Sequence, residues 1–348
     1  MKIAELQTGE EIIAFYLLLA FQKKTASNGN PYYQLTLADR SGTIEARLFA
    51  VSDMFGSPEE YAAGTIVKVK GMVETFNKKL NMKLSRVRIA SEVETEEHLP
   101  RLIRRSVRPP ADILRDVKSM IEDLNEFFPL EAKLCSIVLE SIPDATIERA
   151  GAAGKLHHAY VGGYLEHVLS LMEASLTIAP HYGLDAGTMT ALAFFHDIGK
   201  LMELVEVNGV FEYTREGILF GHIAMGYSLV QQWADVAIKS IDGMLSETAK
   251  YRVEAILHGI LSHHGELAYG SPVLPATREA IAFHHLDNLD SKLQMEAEAW
   301  ESVPEDALIH PERHYKLGTK LVRYPHSLRL RSFEDERRED DTVNDGAQ

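Results

Sequence analysis

Residues 189–200 have the sequence MTALAFFHDIGK, an apolar helical run that ends in the pair His196-Asp197 and is followed by Lys200. Imidazole and carboxylate side chains together suit borderline divalent metals. Neighbouring residues on a helix point about 100° apart, so both can face one metal only where the helix end meets the site obliquely. Helical bundles build metal sites from several helices that face one core. The pair alone is weak evidence, and it indicates a metal centre in a helical domain only together with further ligand-type residues.

Other residues of metal-ligating type lie on both sides of this pair. In chain order they are His167, His222, the adjacent His263 and His264, and then Asp287 and Asp290. Of the 15 histidines, only His98 lies before residue 157, so imidazoles are concentrated in one part of the chain. Hydrolysis of a phosphoester uses such a metal, because the ion lowers the pKa of a water molecule and neutralises phosphate charge.

Charge divides the chain of 348 residues into two unlike parts. Residues 1–110 have 16 Lys+Arg and 13 Asp+Glu, whereas the remaining residues have 20 and 38, which gives the net charge of −15. Such asymmetry indicates two domains with different roles. The longest apolar run, Ile12–Phe21, is too short to span a membrane. The single cysteine, Cys135, excludes an internal disulfide and favours a reducing cytoplasm.

Period-2 alternation dominates residues 11–90. Tyr33, Leu35 and Leu37 alternate with polar residues, and a second alternating run follows the turn at residues 39–42. A helix-like insert at 52–63 precedes two further strands. Five strands with a short helix between the third and fourth are typical of the OB-fold, a small barrel that often binds oligonucleotides. The fold class predicted for the whole chain is therefore multidomain α+β, a small five-stranded OB-fold barrel followed by an all-α helical bundle.

A basic stripe lies on the last two predicted strands and their hairpin. Its members are Lys68, Lys70, Lys78, Lys79, Lys83, Arg86 and Arg88, with Glu74 as the one acid among them. Such a stripe is expected for contact with phosphates, and Tyr32, Tyr33 and Phe76 offer stacking surfaces for bases. A solvated edge strand protected by lysines would have the same composition, so the sequence leaves both interpretations open.

Composition also predicts the domain boundaries. The barrel is expected at 1–92 and a linker at 93–111, where charge blocks precede a double proline. Helical periodicity begins at Asp112, and the helical domain is expected at 112–315. A C-terminal extension at 316–348 follows, with disorder from about residue 333, where acids are frequent and apolar residues rare.

Several motifs together resemble the YhaM-type 3′→5′ exoribonucleases, over residues 1–315. These motifs are residues 31–39 (PYYQLTLAD), 162–167 (GGYLEH), 195–200 (FHDIGK), 221–223 (GHI), 262–265 (SHHG) and 285–290 (HLDNLD). The order H…HD…D with helical flanks resembles an HD-domain metal-dependent phosphohydrolase. The resemblance implies an N-terminal OB-fold ahead of an HD domain.

The resemblance also implies roles for the site residues. His167, His196, Asp197 and Asp287 would hold one divalent metal, and His222 with His263 would complete a second. Lys200 would act with His196 and Asp197 in catalysis, by contacting the scissile phosphate. His264 is an alternative ligand to His263. Asp290 is expected as an acceptor behind the ligands or as an alternative ligand. His158 has the same two alternatives, with a structural or substrate-side role preferred over ligation. One or two transition-metal ions are expected, with Mn²⁺ preferred and Co²⁺, Fe²⁺, Ni²⁺ or Zn²⁺ as alternatives.

The leading hypothesis is an exoribonuclease that hydrolyses single-stranded RNA, with single-stranded DNA as a further substrate, to nucleoside 5′-monophosphates. No membrane partner is expected. The sequence does not decide whether the protein forms a homo-oligomer. An alternative is an HD phosphohydrolase or phosphodiesterase for a small nucleotide, although this leaves the OB-fold unexplained. A second alternative is a non-enzymatic nucleic-acid-binding protein, which the complete ligand set argues against.

Overall fold

The computed structural model describes residues 2–26, 29–49, 54–76, 79–152, 160–242, 247–301 and 303–324. The chain forms two units, Met1–Gln294 and Met295–Gln348. The first unit contains a β-barrel and a helical domain. The second contains a small hairpin.

Six strands form the barrel. They are β1 (Glu11–Thr25), β2 (Pro31–Asp39), β3 (Gly42–Leu48), the two-residue β4 (Met54–Phe55), β5 (Ile66–Phe76) and β6 (Lys79–Ile89). The sheet order is β3-β2-β1-β5-β6-β4, and the additional pairing of β3 with β6 closes the five long strands on themselves. This arrangement confirms the predicted OB-like barrel.

The period-2 pattern determines which side chains fill the barrel. Tyr33, Leu35 and Leu37 of β2 point inward and are buried, as are Ile44 and its alternating neighbours on β3. Full burial of one such side chain contributes about 1.5–3 kcal/mol. A register slip of one residue would expose the whole set, so this pattern also fixes the strand pairing.

The insert between β3 and β5 is shorter in structure than its sequence predicts. Its described part holds β4 and one 3₁₀ turn, Pro58–Glu60, in place of a helix across 52–63. Gly56 and Gly64 both have positive φ, 97° and 85°. Gly56 lies inside the predicted helix, and its left-handed conformation is incompatible with a continuous helix across 52–63.

Part of the segment predicted as a linker is helix α1 (Glu92–Leu102). Ser91 begins it with a capping box, since its hydroxyl accepts from the backbone N–H of Glu94 and the Glu94 carboxylate accepts from the N–H of Ser91 at 2.9 Å. Leu102 is buried against the outside of the barrel. The boundaries at 92, 111 and 315 stay predictions.

The helical domain contains nine helices among the described residues. They are α2 (Pro110–Leu124), α3 (Pro129–Glu140), α4 (Asp144–Arg149), α5 (Gly163–Tyr182), α6 (Ala186–Phe195), α7 (Lys200–Glu203), α8 (Arg215–Asp242), α9 (Glu247–Ser262) and α10 (Arg278–Ala299). Residues 187–195 of α6 are all buried. A helix that is apolar on every side lies in the interior, so α6 is the central helix of this domain. His196 lies at its C-terminal end.

A hairpin interrupts the helices and reaches the barrel. It consists of β7 (Leu204–Val207) and β8 (Val210–Tyr213). At its tip, Asn208 Nδ2 donates a hydrogen bond to the carbonyl oxygen of Gly64 at 2.9 Å. Phe211 is buried in one cluster with barrel residue Ile66. The hairpin therefore docks the helical domain on the barrel.

The second unit is described for residues 295–301 and 303–324. Strands β9 (Ile309–His314) and β10 (Thr319–Val322) pair antiparallel, and Trp300, Val303 and Leu321 form their core. The tail predicted as disordered from about residue 333 lies outside the described residues. Among the described residues, no helix is long and apolar enough to cross a membrane.

Candidate metal centre

Four ligand-type side chains converge at the C-terminal end of α6. His167 Nε2 lies 3.2 Å from His196 Nε2, and Asp287 Oδ1 lies 3.2 Å and 4.0 Å from these two atoms. Asp197 Oδ2 lies 3.3 Å from His196 Nε2. Helices α5 and α10 supply His167 and Asp287, so three helices build this group of side chains, which we call cluster one.

A second group lies on the other side of Asp197. Asp197 Oδ1 lies 3.4 Å from His222 Nε2 and 3.6 Å from His263 Nε2. His264 joins them, since the ligand atoms of the three histidines lie within 4.8 Å of one another. We call Asp197 and these histidines cluster two. The two oxygens of one carboxylate therefore face two different sets of imidazoles.

Unpartnered polar atoms show that this centre fits a metal ion. Asp197 Oδ1, His222 Nε2 and His263 Nε2 are buried and make no hydrogen bond to any described residue. A buried polar atom without a partner is costly, and such an atom calls for an ion or another ligand. The nitrogen and carboxylate donors suit a divalent transition metal. The unpartnered atoms belong to cluster two. In cluster one, the ligand atoms of His167, His196 and Asp197 lie within 4.8 Å of one another, a spacing that could hold a metal ion.

Carboxylates behind the ligands fix the orientation of two imidazole rings. Asp290 Oδ2 lies 2.7 Å from His167 Nδ1 and its Oδ1 accepts from the Ser170 hydroxyl at 2.5 Å. Glu203 Oε1 lies 3.2 Å from His222 Nδ1. Such acceptors set the tautomer and leave Nε2 directed at the metal. Asp290 was expected in this role from its spacing, whereas no motif in the sequence marks Glu203.

Two glycines allow α8 to approach the centre. Gly199 lies against α8 so closely that a Cβ there would overlap the carbonyl oxygen of His222. Gly221 has φ 69° and ψ 154°, which interrupts α8 immediately before His222. A side chain is disfavoured at that φ. Both glycines therefore serve to bring the His222 ring to Asp197.

Lys200 lies beside cluster one and donates a hydrogen bond to Asp197 Oδ2. Burial raises the pKa of Asp197, but the charges of Lys200 and His196 outweigh it and hold this pKa well below its ordinary value. The carboxylate is therefore ionised, as a metal ligand must be.

Burial and charge act oppositely on two of the histidines. Burial lowers the pKa of His263 to about 4 despite the nearby Asp197, so this ring is neutral and able to bind a metal. Burial also lowers the pKa of His167, but its hydrogen bonds with Asp287 and Asp290 prevail and raise the pKa to about 9. A cation at cluster one is thus electrostatically favoured, whether a proton or a metal ion.

The basic stripe on the barrel is only partly available to a ligand. Lys70 Nζ lies 2.9 Å from Glu11, and Arg88 forms a bidentate pair with Glu94, with its Nη2 at 2.6 Å. These two cations are largely neutralised by their partners.

Other members of the stripe differ in exposure. Lys79, Lys83 and Arg86 are exposed. Lys68 is half-buried, with its ammonium 4.9 Å from the centre of the Phe15 ring. Lys78 of the stripe and His158 of the helical domain lie outside the described residues.

The three aromatic residues predicted to stack on bases differ in exposure. Tyr33 is 5% exposed and stacks on Phe21 inside the barrel, with ring centres 4.8 Å apart, so it cannot stack on a base. Its place in the period-2 pattern directs it inward.

Tyr32 and Phe76 lie on the outer face of the barrel, as that role requires. Tyr32 stacks on the exposed Phe49 at 5.4 Å, and the guanidinium of Arg47 lies 3.8 Å from the centre of the Phe76 ring. Arg47 and Phe49 are not marked by any motif in the sequence. Arg47 lies on β3 and Phe49 directly follows this strand, beside β2. The pairing of these two strands is the signal that could have found them.

Residues 164–292 match the family model described as the HD domain. This range contains every described member of the two clusters. The match indicates a metal-dependent phosphohydrolase, and HD domains bind divalent metals.

Among solved structures, the chain is similar to a replication protein A heterotrimer bound to single-stranded DNA, at 14% identity and a TM-score of 0.21. That match covers 27% of this chain and 66% of the other. It is also similar to the second OB-fold domain of replication protein A from Methanococcus maripaludis, at 21% identity and a TM-score of 0.22, over 26% of this chain and 95% of the other. A third similar structure is the S. cerevisiae mitochondrial single-stranded DNA-binding protein Rim1, at 15% identity and a TM-score of 0.21, over 24% of this chain and 97% of the other. The OB-like assignment rests on strand order and barrel closure, not on these low scores.

Proposed function

We propose that this protein is a metal-dependent 3′→5′ exoribonuclease that releases nucleoside 5′-monophosphates from single-stranded RNA. The observation that carries this proposal is the position of Asp197, whose two oxygens face two clusters of imidazoles. Two-metal centres of this type stabilise both the attacking and the leaving oxygen when a phosphodiester is cleaved. The barrel on the same chain supplies a surface for the strand.

Each side chain of the centre has a role in this proposal. His167, His196, Asp197 and Asp287 would hold one ion, and Asp197, His222 and His263 a second. A divalent ion bound here lowers the pKa of water and neutralises charge on a phosphate oxygen. The Lys200 ammonium donates a hydrogen bond to Asp197 and so lies beside cluster one. There it would stabilise the charge that develops on the scissile phosphate.

His263 is favoured over His264 as the principal ligand of the second ion. His263 is 1% exposed, its Nδ1 is engaged with the carbonyl of Ile260 at 2.8 Å, and its Nε2 faces Asp197. His264 Nδ1 is likewise engaged, with the carbonyl of Tyr269, but its ring is half-buried at the edge of the cluster. His264 would complete the site or contact the substrate.

The outer face of the barrel would hold the strand. OB-folds bind oligonucleotides on the second and third strands and the adjoining loops. Here that face presents Tyr32, Arg47 and Phe49, with Phe76 at the end of β5. Lys83 and Arg86 lie on the neighbouring β6 and would contact phosphates.

The test compares a 5′-labelled RNA oligomer with the same oligomer blocked at its 3′ end, each incubated with the manganese-loaded protein. Stepwise shortening of the unblocked RNA alone, with release of nucleoside 5′-monophosphates, is the expected result. The matched pair of variants is Asp197→Asn, which should be inactive, and Asp235→Asn on the exposed face of α8, which should retain activity.

Three outcomes would contradict the proposal. Long internal fragments would indicate an endonuclease, and hydrolysis confined to mononucleotides would indicate a small-nucleotide phosphohydrolase. Binding without hydrolysis under every metal would indicate a nucleic-acid-binding protein. A parallel DNA oligomer establishes whether the ribose 2′-hydroxyl is required.

A further inference from the structure

A cavity of about 470 Å³ lies between α4 and the β7–β8 hairpin. Ala145 and Thr146 of α4 form one wall and are exposed, so the cavity opens to solvent on that side. Leu204 and Phe211 of the hairpin form the opposite wall. This volume is in the range of about 300–1,000 Å³ that is usual for small-molecule sites.

Lys200 connects this cavity to the metal centre. Lys200 is one of the residues that line the cavity, and its ammonium donates a hydrogen bond to Asp197. An anionic group at that ammonium would therefore lie beside cluster one, while the remainder of the same molecule would extend into the cavity.

The lining indicates what the remainder should be. Leu201, Leu204 and Phe211 make much of the cavity lining apolar. Arg149 also lines the cavity, but its guanidinium binds Glu206, with Nε at 2.9 Å from the carboxylate, so its charge is neutralised. The chemistry that fits is a largely apolar group joined to a phosphate, and a nucleotide base is a group of this kind.

The walls are held in place from both sides. The Arg149–Glu206 pair ties α4 to β7, and Asn208 ties the hairpin tip to Gly64 of the barrel. Behind the cavity the backbone of Gly151 packs on Phe211, since a Cβ there would lie 2.8 Å from the ring. The cavity is thus formed before any ligand binds, which lowers the entropic cost of binding.

We infer that this cavity is a subsite for the base of one nucleotide, whose 5′-phosphate lies at Lys200 and the metal centre. The inference rests on the proposed function and deepens it, because the nucleotide is the 3′-terminal one, which leaves as the 5′-monophosphate. A cavity of this size accepts a single base rather than a strand. It therefore accounts for cleavage one nucleotide at a time from an end.

The test measures binding of adenosine 5′-monophosphate and of ribose 5-phosphate to the manganese-loaded protein by isothermal titration calorimetry. The two probes share the phosphate and differ by the base. We expect adenosine 5′-monophosphate to bind at least about 10-fold more tightly, as burial of one base implies. Ala145→Trp, which fills the cavity from an exposed helix position, should abolish this preference and leave the affinity for ribose 5-phosphate unchanged.

Two further variants separate the subsite from a general effect on the fold. Thr146 lines the same wall, so Thr146→Trp should also abolish the preference for adenosine 5′-monophosphate. Glu148 is on the same helix but does not line the cavity, so Glu148→Trp should keep that preference. Equal affinity of wild-type protein for the two probes, or an undiminished preference in both cavity-filling variants, would overturn the inference.

Failure of the subsite and failure of the proposed function give different results. Metal binding requires no base, and no residue of the two clusters lines the cavity, so the Mn²⁺ affinity of the metal-free protein should be the same in wild type and Ala145→Trp. If wild type degrades 3′-unblocked RNA but shows no base preference, the exonuclease stands and the subsite is wrong. If the preference is present but RNA is not shortened, the subsite stands and the substrate is a free nucleotide.

Discussion

Glu203 accepts from the backbone N–H of His222 at 3.0 Å, and the same carboxylate oxygen lies 3.2 Å from Nδ1 of the His222 ring. Both the main chain and the side chain of this histidine are thus fixed by one buried carboxylate. Burial raises the pKa of Glu203, but the hydrogen bond with His222 lowers it further, so the net direction is downward and the carboxylate is ionised. The ring therefore presents Nε2 to Asp197.

Substitution of Glu203 should weaken metal binding although Glu203 is not itself a ligand. We expect Glu203→Ala to lower Mn²⁺ affinity about 10–100-fold, as is usual for such acceptors. Glu203→Gln, which keeps an oxygen acceptor, should recover part of that loss. Calorimetric titration of the metal-free protein with Mn²⁺ measures both. The matched control is Glu212→Gln, an exposed carboxylate on β8. Unchanged affinity in Glu203→Ala would mean that His222 does not bind the metal.

Asp197 should control both ions together, because its two oxygens face different clusters. We expect Asp197→Asn to lower the metal content of the protein by more than the loss of one ion, and to abolish RNA hydrolysis. RNA affinity measured in chelator should be unchanged, because the barrel is untouched. Elemental analysis of dialysed protein gives the stoichiometry. A variant that keeps one full equivalent of metal would show that Asp197 does not bridge.

His263 and His264 are adjacent, and their substitution should have unequal effects. His263→Ala removes the buried ring that faces Asp197 and should lower Mn²⁺ affinity by at least about 10-fold more than His264→Ala. The half-buried His264 should instead affect the KM for RNA. Parallel titrations and steady-state kinetics test this order. The reverse order would assign His264 as the ligand and place His263 in a structural role.

The sequence was sufficient to predict most of the fold. Alternation at Tyr33, Leu35 and Leu37 predicts strands, and the all-apolar run before His196 predicts a buried helix, because periodicity reports burial directly. The helix predicted near Pro58 is absent among the described residues of the insert, where Gly56 adopts a positive φ that composition does not reveal. The α1 helix was missed because its charged residues are equally typical of a linker.

The candidate site was predictable only where a motif marks it. His196 and Asp197 are adjacent in the chain and form a recognisable pair, and the structure places His167 beside them. Glu203 has no motif, because its role depends on the Gly199–His222 contact that folds α8 over α7. Arg47 of the barrel face was missed for a related reason. Its relationship to Phe76 arises from the pairing of β3 with β6, which a single sequence does not reveal.

The buried ion pair of Arg252 and Glu131 should be a major determinant of stability. Arg252 Nε lies 2.7 Å from Glu131, whose side chain is fully buried, and burial raises the pKa of this carboxyl even against the charge of Arg252. Arg252→Met leaves that group without its partner and should cost about 3–5 kcal/mol of unfolding free energy. The double variant Arg252→Met, Glu131→Leu should recover most of the loss. Urea unfolding measures all three, and a double variant no better than the single would contradict this account.

Ionic strength should distinguish the phosphate contacts of the barrel from its stacking contacts. Lys83 and Arg86 are exposed on β6, whereas Lys70 and Arg88 have acidic partners. If the first two contact RNA phosphates, their joint reversal to Glu should flatten the slope of log affinity against log salt by about 1.4, at about 0.7 per phosphate. Charge reversal of Lys70 or Arg88 alone should change this slope less, because each already has an acidic partner.

A stacking contact has a different signature on the same measurement. Phe49 is 47% exposed and stacks on Tyr32, so Phe49→Ala should weaken RNA binding by about 1–3 kcal/mol per stacked base and leave the salt slope unchanged. The control for charge reversal is Lys133→Glu with Lys239→Glu, two exposed lysines of the helical domain. Fluorescence anisotropy with labelled RNA at several salt concentrations gives both quantities. If the Lys83 and Arg86 reversal behaves like this control, the cations protect a strand edge instead of contacting RNA.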